Sequence, residues 1–130
     1  MNYMRQMKDD TLVITGEDGE AVFYIREKIL NDCILFELSG ELKNEIAYEF
    51  EDELEAVLTV QHRVRIDLSR VTFIASAGLH TLLHAQQFVD KTADGSMVIC
   101  GLSSNVAETF ENNGFMELFR FDMPGEVTTA

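Results

Sequence analysis

Apolar residues recur along this chain with two periods, and the change between them falls just before Asn44. Upstream they come in short runs bounded by turn-forming residues. Thr11–Thr15 (TLVIT) predicts a strand, the GEDGE stretch supplies the Gly and Asp chemistry of a turn, and residues 21–25 (AVFYI) predict a second strand, giving an N-terminal β-hairpin over 11–25. Residues 33–38 predict a third strand, apolar on both alternations and therefore expected to be buried on both faces, ending at Ser39-Gly40.

From Asn44 the spacings become one, three and four. Ile46, Ala47, Phe50, Leu54, Val57 and Leu58 fall on one helical stripe, which predicts a helix over 44–60 with Asn44 as its N-cap. The other face carries Glu45, Glu49, Glu51, Asp52, Glu53 and Glu55 and reads as solvated, with a partner-docking surface as the alternative. After Gln61-His62, Val64, Ile66 and Leu68 alternate with Arg63, Arg65 and Asp67, the pattern of a strand with one buried face. The following VTFIASAGLHTLLHAQQFV begins extended and turns helical over 77–90, with Leu79, Leu82, Leu83 and Val89 inward and Ala85 and Phe88 beside them. A TADG turn leads to a strand at 97–100. Ser103 or Ser104 then caps a helix over 104–112 whose Val106, Ala107 and Phe110 face inward, and Asn113-Gly114 ends it. Residues 115–121 read as a last strand or edge, and the polar tail 122–130, with the only proline, is expected to fray. Strands alternating with helices make the fold class α/β, with helices packed against a mixed sheet in a single domain over 1–130.

Composition narrows the function. Twenty-three acidic side chains against ten basic ones give a formal net charge of −13, which disfavours direct nucleic acid binding and docking on anionic lipid. No apolar run approaches the ~18 residues that cross a bilayer, and MNYMRQMKDD lacks the apolar core of a signal peptide, so the expectation is a cytoplasmic protein. Cys33 and Cys100 sit in apolar stretches and read as reduced core residues.

The usual catalytic patterns are missing. No Gly-rich phosphate loop joins a strand to a helix. His80 and His84 share a helix face, yet no glutamate follows His80 as a zinc protease requires, and His62 is isolated; no metal or cofactor is expected. Ser76 with His80 one turn on is the nearest approach to a nucleophile and base, and no orienting group accompanies it. The chain reads as a binding protein and not an enzyme.

The stretch RIDLSRVTFIASAGLHTLL resembles the signature of the STAS family, named for sulfate transporters and anti-sigma-factor antagonists: a strand ending in Asp-Leu-Ser, here Asp67-Leu68-Ser69, and a helix opened by a D-S-[ST]-G-L motif, here Ala75-Ser76-Ala77-Gly78-Leu79. LSGEL at 38–42, the acidic helix and MVICGLSSNVAETFENNGFMELFRF extend the resemblance over about residues 21–121, without the final helix of many relatives. It implies a STAS-like fold and a bacterial anti-sigma-factor antagonist whose partner is an anti-sigma factor that is also a serine kinase. Ser76 matches the phosphorylated serine of that branch, and Ala75, Ser76, Ala77, Gly78 and Leu79 match its partner-binding segment. Ala75 stands where the motif has Asp, and Ala77 where it has a second hydroxyl residue.

Two readings of Ser76 stay open: a phosphate acceptor, or an N-cap worth roughly 1 kcal/mol. Gly78 either admits a partner's backbone or permits tight helix-to-sheet packing. At the level of function, the alternative to the antagonist is a STAS scaffold or a subunit of a transport, lipid-trafficking or signalling complex with no phosphorylation cycle, which Ala75 favours. Pairing into a homodimer through the N-terminal hairpin is left open by the sequence.

Overall fold

In the computed structural model, which describes residues 3–122, seven strands lie side by side in the order in which the chain makes them. β1 (Met4–Lys8), β2 (Thr11–Thr15), β3 (Ala21–Ile29) and β4 (Ile34–Leu42) form an antiparallel meander. β4, β5 (Arg63–Ile74), β6 (Ser96–Leu102) and β7 (Arg120–Phe121) run parallel. Parallel neighbours need crossovers, and the three here are α1 (Asn44–Leu58), α2 (Ser76–Asp90) and α3 (Ser104–Asn112). The result is the mixed α/β sheet that the alternation of periods predicts.

One face of the sheet carries the core. Phe23, Ile25, Phe36, Leu38, Val64, Ile66, Met97 and Ile99 alternate along their strands and are buried there. Against them α1 lays its whole predicted stripe, Ile46, Ala47, Phe50, Leu54, Val57 and Leu58. α2 adds Leu79, Leu82, Ala85 and Val89, with Leu83 half-buried at the margin. α3 lies on the same face, since Phe121 pairs with Ile99 in the sheet and sets its ring edge-on to Phe110 at 6.1 Å.

Among the described residues no helix covers the other face. The sequence predicts burial of both faces of β4, yet on the open side Glu37 pairs with Arg26 at 3.6 Å and Lys28 at 3.5 Å. Long charged side chains lying across their neighbours leave Leu35 and Glu37 half-exposed.

Three further elements differ from expectation. β1 has no predicted counterpart, because all five of its side chains are exposed and no alternation marks it. β5 does not end at Asp67-Leu68-Ser69 but runs on to Ile74. Its register with both neighbours slips around these residues, where Asp67 Oδ1 accepts the Ser69 N–H at 2.9 Å. Gly101 on β6 makes room for this bulge: at φ +144, a Cβ there would stand 2.7 Å from Asp67 Oδ1. Residues 115–121 form no continuous strand; a 3-10 turn at Met116–Leu118 precedes the two residues of β7. The turn lets Phe119 and Phe121 both meet Phe110, at 5.6 and 6.1 Å, while Phe115 packs on Phe119 at 6.2 Å. The tail 123–130 lies outside the described residues.

β1 also clamps α1. Arg5 reaches Glu49 at 3.0 Å and Glu53 at 2.8 Å. Beneath them Glu27 of β3 is pushed up from 4.5 to about 7, first by burial and then by its hydrogen bond to, and repulsion from, Glu53.

Two measurements check these features. Leu54→Ala should destabilise by about 2 to 5 kcal/mol in urea melts, and Glu51→Ala by less than about 0.5 kcal/mol; equal losses would contradict the helix phase. Because the folded protein holds the Glu27 proton more tightly than the unfolded chain, this group's stabilisation is full below about 4.5 and is lost as pH rises through about 7. Glu27→Gln should therefore raise the melting temperature at pH 8, leave it nearly unchanged at pH 5, and flatten the profile between; the same shift at both ends would exclude the effect.

Candidate functional site

β4 and β5 end side by side and each hands the chain to a helix, so α1 and α2 start next to each other. The Ala75 N–H donates to the Leu42 carbonyl at 2.9 Å, tying the turn before α2 to the end of β4. α2 then opens at Ser76, after Ala75 at the N-cap position with extended backbone (φ −85, ψ 168). Ser76 is thus the first helical residue and not the cap, and among the described residues α2 has no cap from its own N-cap side chain. Ser76 is exposed, and its hydroxyl has no hydrogen-bond partner among the described residues.

The missing cap comes from the neighbouring helix. Asn44, expected to cap α1, is instead its first residue, with Lys43 at the N-cap. Its Oδ1 accepts the Ala77 N–H at 3.2 Å, across the gap between the helix starts. One early donor of α2 is satisfied in this way, whereas the Ser76 and Gly78 N–H groups find no acceptor among the described residues. No local pattern marks Asn44 for this task, because its partner lies 33 residues away.

The rest of the motif divides by exposure. Ala75 and Ala77 are half-buried on either side of Ser76. Gly78 and Leu79 are buried, and a Cβ on Gly78 would stand 2.9 Å from both Ile74 Cγ1 and Leu42 Cδ2, so the glycine lets α2 pack onto the ends of β4 and β5. Solvent reaches the start of this helix at residues 75–77 and not at 78 and 79. Phe73, at the end of β5, is 48% exposed nearby and was not singled out by the sequence pattern.

Little else offers reactive chemistry. His80 stacks on His84 with ring centres 6.3 Å apart and makes no hydrogen bond to Ser76. Among the described residues no three His, Cys, Asp or Glu side chains converge as a metal site, and no helix is long and apolar enough to cross a membrane. Cys33 and Cys100 are unpaired, and burial pushes both thiols up, away from the thiolate form.

The cross-helix cap has a measurable consequence. Asn44→Ala should cost about 0.5 to 1 kcal/mol in urea melts, as loss of an N-cap does, and Ala75→Asp, which restores a cap in place, should recover most of it. Additive behaviour of the two substitutions would show that they act on different groups.

Comparison with known proteins agrees with this architecture. The model of the STAS domain matches residues 24–126. A protein of Bordetella bronchiseptica, BtrV, described as an anti-sigma factor antagonist, is 38% identical over 95 residues, 72% of this chain and 80% of its own length. The fold is shared with an anti-sigma factor antagonist from Mycobacterium paratuberculosis (TM-score 0.69, 19% identity, 78% of this chain and 86% of that one). It is shared too with the unphosphorylated anti-sigma factor antagonist SpoIIAA (TM-score 0.65, 14% identity, 75% and 86%). The chain belongs to the STAS domain family, in its anti-sigma factor antagonist branch.

Proposed function

We propose that this protein is a binding switch: the start of α2 docks on an anti-sigma factor that is also a serine kinase, and phosphorylation of Ser76 ends the complex. The observation that carries this reading is the exposed, unpartnered hydroxyl of Ser76 at the first position of α2. A phosphate there would find the free Ser76 and Gly78 N–H groups and the positive end of the helix dipole, so the modified state is tolerated by the fold. It would also add about two negative charges to a surface already at −13, which is repulsive to any partner face that accepted the neutral form. Phe73 and the small residues Ala75 and Ala77 give that partner an apolar contact around the hydroxyl.

A second reading is a STAS scaffold, or a subunit of a transport, lipid-trafficking or signalling complex, without a phosphorylation cycle. Ala75 favours it, because a kinase that orients its acceptor through an adjacent carboxylate finds none here.

The two readings separate on Ser76. Since its hydroxyl caps nothing, Ser76→Ala should change stability by less than about 0.5 kcal/mol and keep the cognate kinase bound. Ser76→Asp should keep the fold and weaken that complex by at least roughly tenfold, charge being the variable. Calorimetric titration of both variants measures this, alongside a phosphorylation assay with purified kinase and ATP. Wild-type affinity for Ser76→Asp, with no phosphate on Ser76, would leave the scaffold reading.

A further inference from the structure

Below the Ser76 end, α1 and α2 part to leave a groove of about 380 Å³ lined by Leu54, Leu58, Thr81, Ala85 and Phe88. Thr81 and Ala85, both small, face α1 where a larger pair would close the gap. Phe88 stands 45% exposed at its edge, over a floor of Leu54, Leu58, Thr81 and Ala85 that is itself buried.

The groove's α1 rim is acidic. Glu51 and Glu55 line the α1 side, and no lysine or arginine lines the groove or occurs anywhere in α1. The two helices are parallel, following neighbouring parallel strands, so their C-termini finish together at the lower end. Neither has a basic residue in its last turn, and Asp90 ends α2, although the carbonyls of Ala56, Val57, Phe88 and Val89 already accept hydrogen bonds from the residues that follow. The negative ends of both helix dipoles thus add to the carboxylates at the groove. His84 lies 3.9 Å from Glu51 on the opposite rim, and Lys91 follows α2 immediately.

We propose that this groove receives an amphipathic helix of a partner protein, its leucine-type side chains packed against Phe88 over the floor of Leu54 and Ala85, and its lysines or arginines beside Glu51, Glu55 and the negative ends of the two helix dipoles. A trough between two parallel helices accepts the ridge of a third helix, and charge complementarity selects a basic one. The site stands apart from Ser76 and does not depend on phosphorylation there.

The test uses the full chain, labelled with ¹⁵N, and a synthetic 14-residue peptide with leucines at positions 3, 6, 7 and 10 and lysines elsewhere. Saturable shifts at the amides of Leu54, Leu58, Ala85 and Phe88 are expected, and Glu51→Lys with Glu55→Lys should weaken binding by roughly tenfold or more. Ser76→Asp should bind the peptide as wild type does, which separates failure here from failure of the kinase reading. If the charge-reversed protein loses its fold, Glu51→Gln with Glu55→Gln, expected to weaken binding in the same direction, replaces it. Equal binding of a peptide with serine for leucine would reduce the effect to charge and overturn the assignment. So would shifts spread over the open sheet face, or octylammonium alone matching the peptide, which would make the groove a small-ligand site.

Discussion

Parallel pairing of β4 with β5 is the constraint from which the functional surface follows. Antiparallel strands can be joined by a tight turn, but a parallel pair obliges the chain to return along the sheet, and α1 is that return. Repeating the move with α2 sets two helices in the same direction on the same face, with their starts at one edge and their ends at the other. The cap that Asn44 gives to α2, the exposure of Ser76 and the groove near Leu54 and Phe88 all depend on that alignment.

Periodicity made the helices legible. The six inward residues of α1 are a property of its own segment, so the sequence shows them without help from the rest of the molecule. What it hid depends on contacts between segments. β1 earns its place by hydrogen bonding to β2 and through Arg5 on α1, neither of which leaves an apolar alternation in MRQMK. The Asp67 bulge needs Gly101 on the next strand, and the turn at Met116–Leu118 follows from rings gathered around Phe110. At the site, the motif residues were visible as a resemblance, but their division into an exposed Ser76 between half-buried alanines and a buried 78–79 was not, because it is set by Leu42 and Ile74 packing under Gly78.

The acidic face of α1 is two surfaces. Glu49 and Glu53 turn toward the meander, where Arg5 holds them and Glu27 accommodates the crowding by keeping its proton. Glu51 and Glu55 turn toward α2 and have no lysine or arginine between them and the groove. Surface ion pairs contribute only about 0.2 to 1 kcal/mol each, so Arg5 is better understood as fixing where β1 lies than as a large source of stability. Glu51 has His84 3.9 Å away, and this is the side of α1 on which the groove with α2 lies.

Ala75 takes its meaning from this geometry. A carboxylate at that position would cap α2 from within its own turn and would place a negative charge beside Ser76. With alanine there, the capping is transferred to a neutral amide on α1, and the start of α2 stays hydrogen-bonded without a charge of its own. Stability of the helix start is thereby separated from its electrostatics. An aspartate at position 75 would join the two, whereas here the helix start is held without an acidic side chain of its own first turn.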